Sequence, residues 1–148
     1  MAQSYIKRIL NAQVYDVARE TPLDAAPLLS ARLGNQAFLK REDLQPVFSF
    51  KCRGAYNKMV HLDEPARAGG VVAASAGNHA QGVALAASKL GIKATIVMPV
   101  TTPLIKVDAV KALGAKVVMH GDSFDEAAVR ARALTESEGF TFIHPFDD

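Results

Sequence analysis

The stretch Val71-Val72-Ala73-Ala74-Ser75-Ala76-Gly77-Asn78-His79-Ala80-Gln81-Gly82 decides the fold. Two valines and two alanines run without polar alternation, and small residues then lead into an alanine-rich segment that reaches Leu90 and stops at Gly91. An unbroken apolar run of strand length is the signature of a strand covered on both faces. Alanine favours helix, and a glycine just past the last periodic residue supplies a left-handed cap. The stretch therefore predicts a buried strand, a tight turn and a helix over 78–90.

Working outward, the same pattern repeats. Ala94-Thr95-Ile96-Val97-Met98, Lys116-Val117-Val118-Met119 and Thr141-Phe142-Ile143 are further continuous β-branched runs. Thr102-Pro103 opens a helix with proline in its first turn, where Leu104, Val107, Val110 and Leu113 share one face and Gly114 ends the segment. Ser123-Phe124-Asp125-Glu126 is a capping box, and its helix carries Phe124, Ala128, Ala131 and Leu134 as far as Gly139. The order β-α-β-α-β-α-β implies an α/β fold, a parallel sheet with flanking helices and right-handed crossovers.

Upstream the pattern is less regular. Residues 27–33 predict a short helix capped by Gly34, and 37–40 a strand. Residues 49–60 predict a helix with Ser49 as its cap. Glu42 and Asp43 read as a charged strand end pairing with Lys40 or Arg41, and Gly69-Gly70 as a turn.

Composition narrows the function. The 148 residues suit one compact domain, 49% of them are hydrophobic, and the net charge is only +2. Basic and acidic residues interleave, which gives no support for nucleic-acid or membrane-surface binding. One cysteine, Cys52, excludes an internal disulfide and a cysteine metal cluster, and the four histidines have no metal-site spacing, so no metal is expected. No apolar stretch is long enough to span a membrane and the amino terminus has no secretion signal, so a cytoplasmic protein is expected.

Two segments can carry chemistry. In Ser49-Phe50-Lys51-Cys52-Arg53-Gly54-Ala55-Tyr56, Lys51 falls in the first turn of a predicted helix. A cation is disfavoured at that end of the helix dipole, which tends to lower the amine pKa and so favours the neutral nucleophile. Taken alone, this reading competes with an ordinary surface lysine. The second segment is the turn 75–79, where small residues let backbone N–H groups face outward at a helix amino terminus, a ready site for a carboxylate or phosphate. A plain capped turn needs the same residues. Neither a dinucleotide GxGxxG nor a P-loop GxxxxGK[ST] occurs. His79 reads as a solvated loop histidine ahead of a catalytic one, and Cys52 as a buried helix residue.

Together these segments resemble the threonine dehydratase (threonine deaminase) family, biosynthetic type, among the fold-type II, tryptophan synthase β-like enzymes that use pyridoxal 5'-phosphate. The resemblance rests on Lys40-Arg41-Glu42-Asp43, on Phe48-Ser49-Phe50-Lys51-Cys52-Arg53-Gly54-Ala55-Tyr56, and on Ala74-Ser75-Ala76-Gly77-Asn78-His79-Ala80-Gln81-Gly82-Val83-Ala84. Ile96-Val97-Met98-Pro99 and Lys106-Val107-Asp108-Ala109 add to it, and it runs from about Val14 onward.

The resemblance implies that Lys51 is the lysine that holds pyridoxal phosphate covalently and acts in catalysis. It implies that Asn78 bonds the cofactor's ring hydroxyl and that Phe50 packs beside the cofactor. Ser75, Ala76, Gly77, Asn78 and His79 would grip the substrate carboxylate. The implied reaction is dehydration and deamination of L-threonine to 2-oxobutanoate and ammonia, on the way to isoleucine. The complete enzyme is expected to be a homo-oligomer acting on a small amino acid, with neither nucleic-acid nor membrane partners. Residues 1–45 are expected to contribute to a larger lobe and 46–148 to form the smaller lobe with the lysine. The glycine-rich phosphate loop and the partner of the pyridine nitrogen are expected outside this sequence, so the 148 residues alone are expected to be inactive. Serine dehydratase and serine racemase use similar motifs and stay open, as does a fold module that binds no cofactor.

Overall fold

The computed structural model describes residues 4–147. In chain order its elements are α1 (Tyr5–Leu10), β1 (Leu23–Ala25), α2 (Pro27–Leu33), β2 (Phe38–Lys40), α3 (Lys51–Val60), α4 (Glu64–Gly69), β3 (Val71–Ala74), α5 (Asn78–Leu90), β4 (Ala94–Met98), α6 (Leu104–Ala112), β5 (Lys116–Met119), α7 (Phe124–Glu138) and β6 (Thr141–Phe142). Strands β1 and β2 form an antiparallel pair, with Leu23 opposite Lys40. The other four make a parallel sheet in the order β5-β4-β3-β6. This is the expected α/β arrangement.

Strand periodicity divides the core in two. Val71, Ala73, Ile96 and Met98 face one side, where Ala80, Val83, Ala84 and Ala87 of α5 cover them and Tyr56 and Met59 of α3 join the same cluster. Val72, Ala74 and Val97 face the other side, under Ala127, Ala128, Ala131 and Leu134 of α7. Every residue of β3 and β4 is buried, as their unalternating sequence requires. Fully burying each valine or isoleucine contributes about 1.5–3 kcal/mol. The many alanines on α5 and α7 let both helices lie close to the sheet.

The helix ends follow the sequence. Gly34, Gly91 and Gly139 cap α2, α5 and α7 in the left-handed conformation. Ser123 and Glu126 form the capping box in full. Other expectations need correction. Strand β5 is only partly buried, because it is a sheet edge with a neighbour on one side alone. Leu104 is 77% exposed and Phe124 47%, since both stand in the first turns of their helices, beside the loops leaving β4 and β5.

Ser49 does not cap α3. The helix begins at Lys51 with Phe50 in the cap position, and the buried Ser49 Oγ accepts none of the backbone N–H groups of its first turn. Phe48 enters this junction with φ 56° and donates its N–H to the Gln45 carbonyl oxygen at 2.8 Å. Among the described residues no helix is long and apolar enough to cross a membrane.

Candidate active site

The strand order places a crevice before any side chain is considered. From β3 the chain moves through α5 to β4 and through α6 to β5, always in one direction. It then returns through α7, on the opposite face, to β6 on the far side of β3. The loops leaving β3 and β6 therefore diverge, and such a switch point is where open α/β sheets bind ligands, at the carboxyl ends of the strands. Residues 75–79 leave β3 there and residues 143–147 leave β6.

His79 ties the two exits together. It lies in the first turn of α5, 6% exposed, with Nε2 3.0 Å from the Ile143 carbonyl oxygen. The expectation of a solvated loop histidine is overturned, because His79 stands in the first turn of α5 and is buried against the end of β6. Ser75 is also buried, and its Oγ accepts the Gly77 N–H at 3.1 Å. Gly77 occupies the cap position of α5, and Asn78 begins the helix. Asn78 is thus not the helix cap.

Lys51 reaches the same crevice from α3. Its Nζ donates to the Pro145 carbonyl oxygen at 2.5 Å and lies 5.6 Å from the centroid of the Phe50 ring. Along α3, Lys51, Gly54, Ala55 and Lys58 share one face by their three- and four-residue spacing. They line a cleft of about 860 Å³, which His79 and Pro145 also line. A Cβ on Gly54 would meet nothing within 4 Å, so this face leaves open space one turn beyond Lys51.

Behind α3 stands a polar network that the sequence did not reveal. Glu42 accepts hydrogen bonds from Arg53 Nε at 2.8 Å and from Thr21 Oγ1 at 2.7 Å. Buried Gln45 accepts from the Arg19 N–H at 2.8 Å and donates to the Arg19 carbonyl oxygen at 2.9 Å. The Arg53 guanidinium, ahead of Thr21 and Gln45, holds the Glu42 carboxyl down at about 2, and Glu42 in turn raises Arg53.

Of the local pairings expected near the β2 end, Asp43 does pair with Arg41 at 2.8 Å, and Arg41 also reaches Asp24 at 2.9 Å. Glu42 instead pairs with Arg53, eleven residues on, because the turn at 45–48 folds α3 back over it. Lys40 donates to the Thr21 carbonyl oxygen. Cys52 is fully buried, as expected, and burial pushes its thiol pKa up.

A lysine, a flat aromatic wall and a helix-start turn around one crevice are the parts of a site for an aldehyde cofactor. Residues 14–148 match the family model described as pyridoxal-phosphate dependent enzyme. The chain belongs to that family.

As a member of the pyridoxal-phosphate dependent enzymes it has close relatives. It is 58% identical to the biosynthetic L-threonine dehydratase of Burkholderia multivorans, over 99% of this chain and 30% of that protein. It is 62% identical to the chloroplastic biosynthetic threonine dehydratase of Arabidopsis thaliana, over 99% of this chain and 25% of that one. The solved structure of processed threonine deaminase isoform 2 from Solanum lycopersicum superposes with a TM-score of 0.92 at 57% identity, covering 97% of this chain and 40% of that one. Maize serine racemase gives 0.89 at 35% identity, covering 97% of this chain and 44% of its own. The chain spans about a quarter to a third of the length of the curated relatives named here.

The residues present fit one side of the cofactor. Lys51 offers the amine, the Phe50 ring a flat surface and Gly54 the room, whereas of residues 75–79 only His79 lines the cleft and Asn78 is next to it in sequence. No glycine-rich phosphate cradle is present, the only adjacent glycines being Gly69 and Gly70. The sequence motifs could not disclose the Ile143 and Pro145 carbonyls or the Glu42–Arg53 pair, which act through tertiary contact. Gly82 did carry a signal, since a glycine inside a helical pattern marks close packing.

Proposed function

We propose that the protein containing this chain dehydrates and deaminates L-threonine to 2-oxobutanoate and ammonia, with pyridoxal 5'-phosphate attached to Lys51. The observation that carries this reading is the shared crevice at the switch point, lined by Lys51 from α3 and His79 from the turn after β3. Identities of 52–63% to biosynthetic threonine dehydratases, against 35% to maize serine racemase, favour threonine over serine.

When bound, the cofactor supplies an electron sink that makes the Cα proton of an amino acid labile. Lys51 Nζ would hold the cofactor and would be the base that takes the Cα proton of the bound amino acid. The Pro145 carbonyl oxygen keeps that amine inside the cleft by accepting its hydrogen bond. The backbone of Ser75, Ala76, Gly77, Asn78 and His79 grips the substrate carboxylate at the amino end of α5, which selects the Cα bond to be broken. Asn78 would hydrogen-bond the cofactor's ring hydroxyl and Phe50 would lie beside its ring. The threonine β-hydroxyl leaves as water, and a second water later releases ammonia, so the net products are 2-oxobutanoate and ammonia.

In this reading residues 46–148 are the smaller lobe of a two-lobed catalytic domain. Residues 1–45 contribute to the larger lobe, which carries the phosphate anchor and the pyridine-nitrogen partner. Exposed Leu28, Leu33 and Phe38 support further contacts of that amino-terminal segment, including those of a homo-oligomer. The test is an assay of the full-length protein with saturating cofactor and either L-threonine or L-serine. Rapid formation of 2-oxobutanoate is expected. D-serine or pyruvate formed from serine with no turnover of threonine would assign the protein to a sister activity.

A further inference from the structure

Helix α5 crosses α3 at Gly82. A Cβ built there would lie 2.9 Å from the Lys51 carbonyl oxygen, 3.0 Å from its carbonyl carbon and 3.2 Å from the Cys52 nitrogen. All three are backbone atoms, which have no rotamer by which to move aside. The helix that begins with the turn 75–79 therefore bears directly on the peptide that carries Lys51. Two of its residues set the two sides of the crevice. His79 holds the turn to the Ile143 carbonyl oxygen, and Gly82, one turn later, meets α3.

Resting on the proposed function, we infer that Gly82 is a positioning residue. Its missing side chain sets the distance between the Lys51 amine and the turn that grips the substrate carboxylate. An ordinary role in helix packing makes a different forecast. Gly82 lies inside α5, and neither its φ nor its helix demands glycine. Alanine would be the better helix former there. The close approach to Lys51 is what opposes it. An added methyl has to push α3 outward, carrying Lys51 with it, while the sheet, α7 and the rest of α5 stay in place. Misplacement of a reacting group by about 1 Å costs about a hundredfold in rate.

The experiment uses the full-length protein as wild type, Gly82→Ala and Gly82→Ala/Ala86→Gly. Ala86 is buried one turn further along the same face of α5, so deleting its methyl lets α5 tilt if the single variant folds poorly. Three readouts are taken. They are thermal melting of the cofactor-free protein, cofactor affinity and visible absorbance with borohydride trapping on Lys51, and kcat separately from KM. The expected result is a folded variant with weakened, spectrally shifted cofactor binding and a kcat lowered about a hundredfold. Its KM for threonine should change much less. A variant that melts higher than wild type and keeps wild-type affinity, spectrum and kcat would overturn the inference alone. Absence of any label on Lys51 in the wild type would overturn the proposed function, and this inference with it.

Discussion

Lys51 Nζ donates a hydrogen bond to the Pro145 carbonyl oxygen, 94 positions further along the chain. The contact brings the start of α3 against the segment that leaves β6. It also leaves the amine facing the same cleft as His79.

That placement makes Lys51 the lysine to label. Borohydride reduction of the full-length protein with pyridoxal phosphate, followed by peptide mapping, should put the pyridoxyl group on Lys51. Lys51→Ala should lose both the label and turnover. A label on Lys40 or Lys58 would refute the assignment.

Asn78→Ala should weaken cofactor binding without disturbing α5, because Gly77 and not Asn78 caps that helix. Loss of one hydrogen bond to the ring is worth about 1 kcal/mol, or roughly fivefold in affinity. Titration of the visible absorbance would measure it. Unchanged affinity together with a lower melting temperature would assign Asn78 to the helix instead.

His79→Ala removes the partner of the Ile143 carbonyl oxygen in a buried place. An unsatisfied buried acceptor costs about 1–3 kcal/mol. The expected outcome is a lower melting temperature and faster amide exchange at the end of β6, which beyond this tie is held by its pairing with β3. Unaltered exchange at Phe142 and Ile143 would contradict the role of His79 as a tie.

Glu42 should confer pH-dependent stability. Its carboxyl is held at about 2, below its ordinary 4.5, so its contribution is complete above 4.5, fades as pH falls toward 2, and is absent below that. Glu42→Gln should therefore destabilise the protein at pH 7, by about 1.5 kcal/mol given its partly exposed partner. The difference in melting temperature between variant and wild type should shrink from pH 4.5 downward. A constant difference across that range would remove the carboxylate from the account.

Ser123→Ala breaks the capping box in which Glu126 N–H donates to Ser123 Oγ and Glu126 Oε2 accepts from the Asp122 and Ser123 amides. Loss of about 1 kcal/mol is expected. It should show as faster amide exchange in the first turn of α7, with kcat unchanged because neither Ser123 nor Glu126 lines the cleft.

Much of this was legible in the residues themselves. Runs such as Val71–Ala74 and Ala94–Met98 are buried on both sides, so burial and sequence say the same thing. Gly91, Gly139 and the Ser123–Glu126 box are local signals of local geometry, and they mark the helix ends they predicted. The misreadings share one cause. Local pattern misleads at Ser49, Leu104 and His79, because a neighbouring segment decides each. The turn at 45–48 leaves the Ser49 side chain buried away from the first-turn amides of α3, the loop after β4 leaves Leu104 exposed, and the exit of β6 buries His79. Helix α4 carries no such signal, because its six residues, Glu64 to Gly69, are too few to show a period. At the site, residue types suggested the lysine and the turn, while the carbonyl partners of both came from the far end of the fold and carry no side-chain signature.

The placement of Pro145 and Ile143 also has a temporal meaning. Both partners of the site come from residues that follow β6, whereas Lys51 and His79 are made much earlier in synthesis. A chain leaving the ribosome can form α3, α5 and the β3–β4 pair from nearby contacts, but it cannot close the crevice until β6 has docked beside β3. Contacts of such long sequence separation form late and slowly. Until then the Lys51 side of the crevice stands open, made well before the residues that close over it.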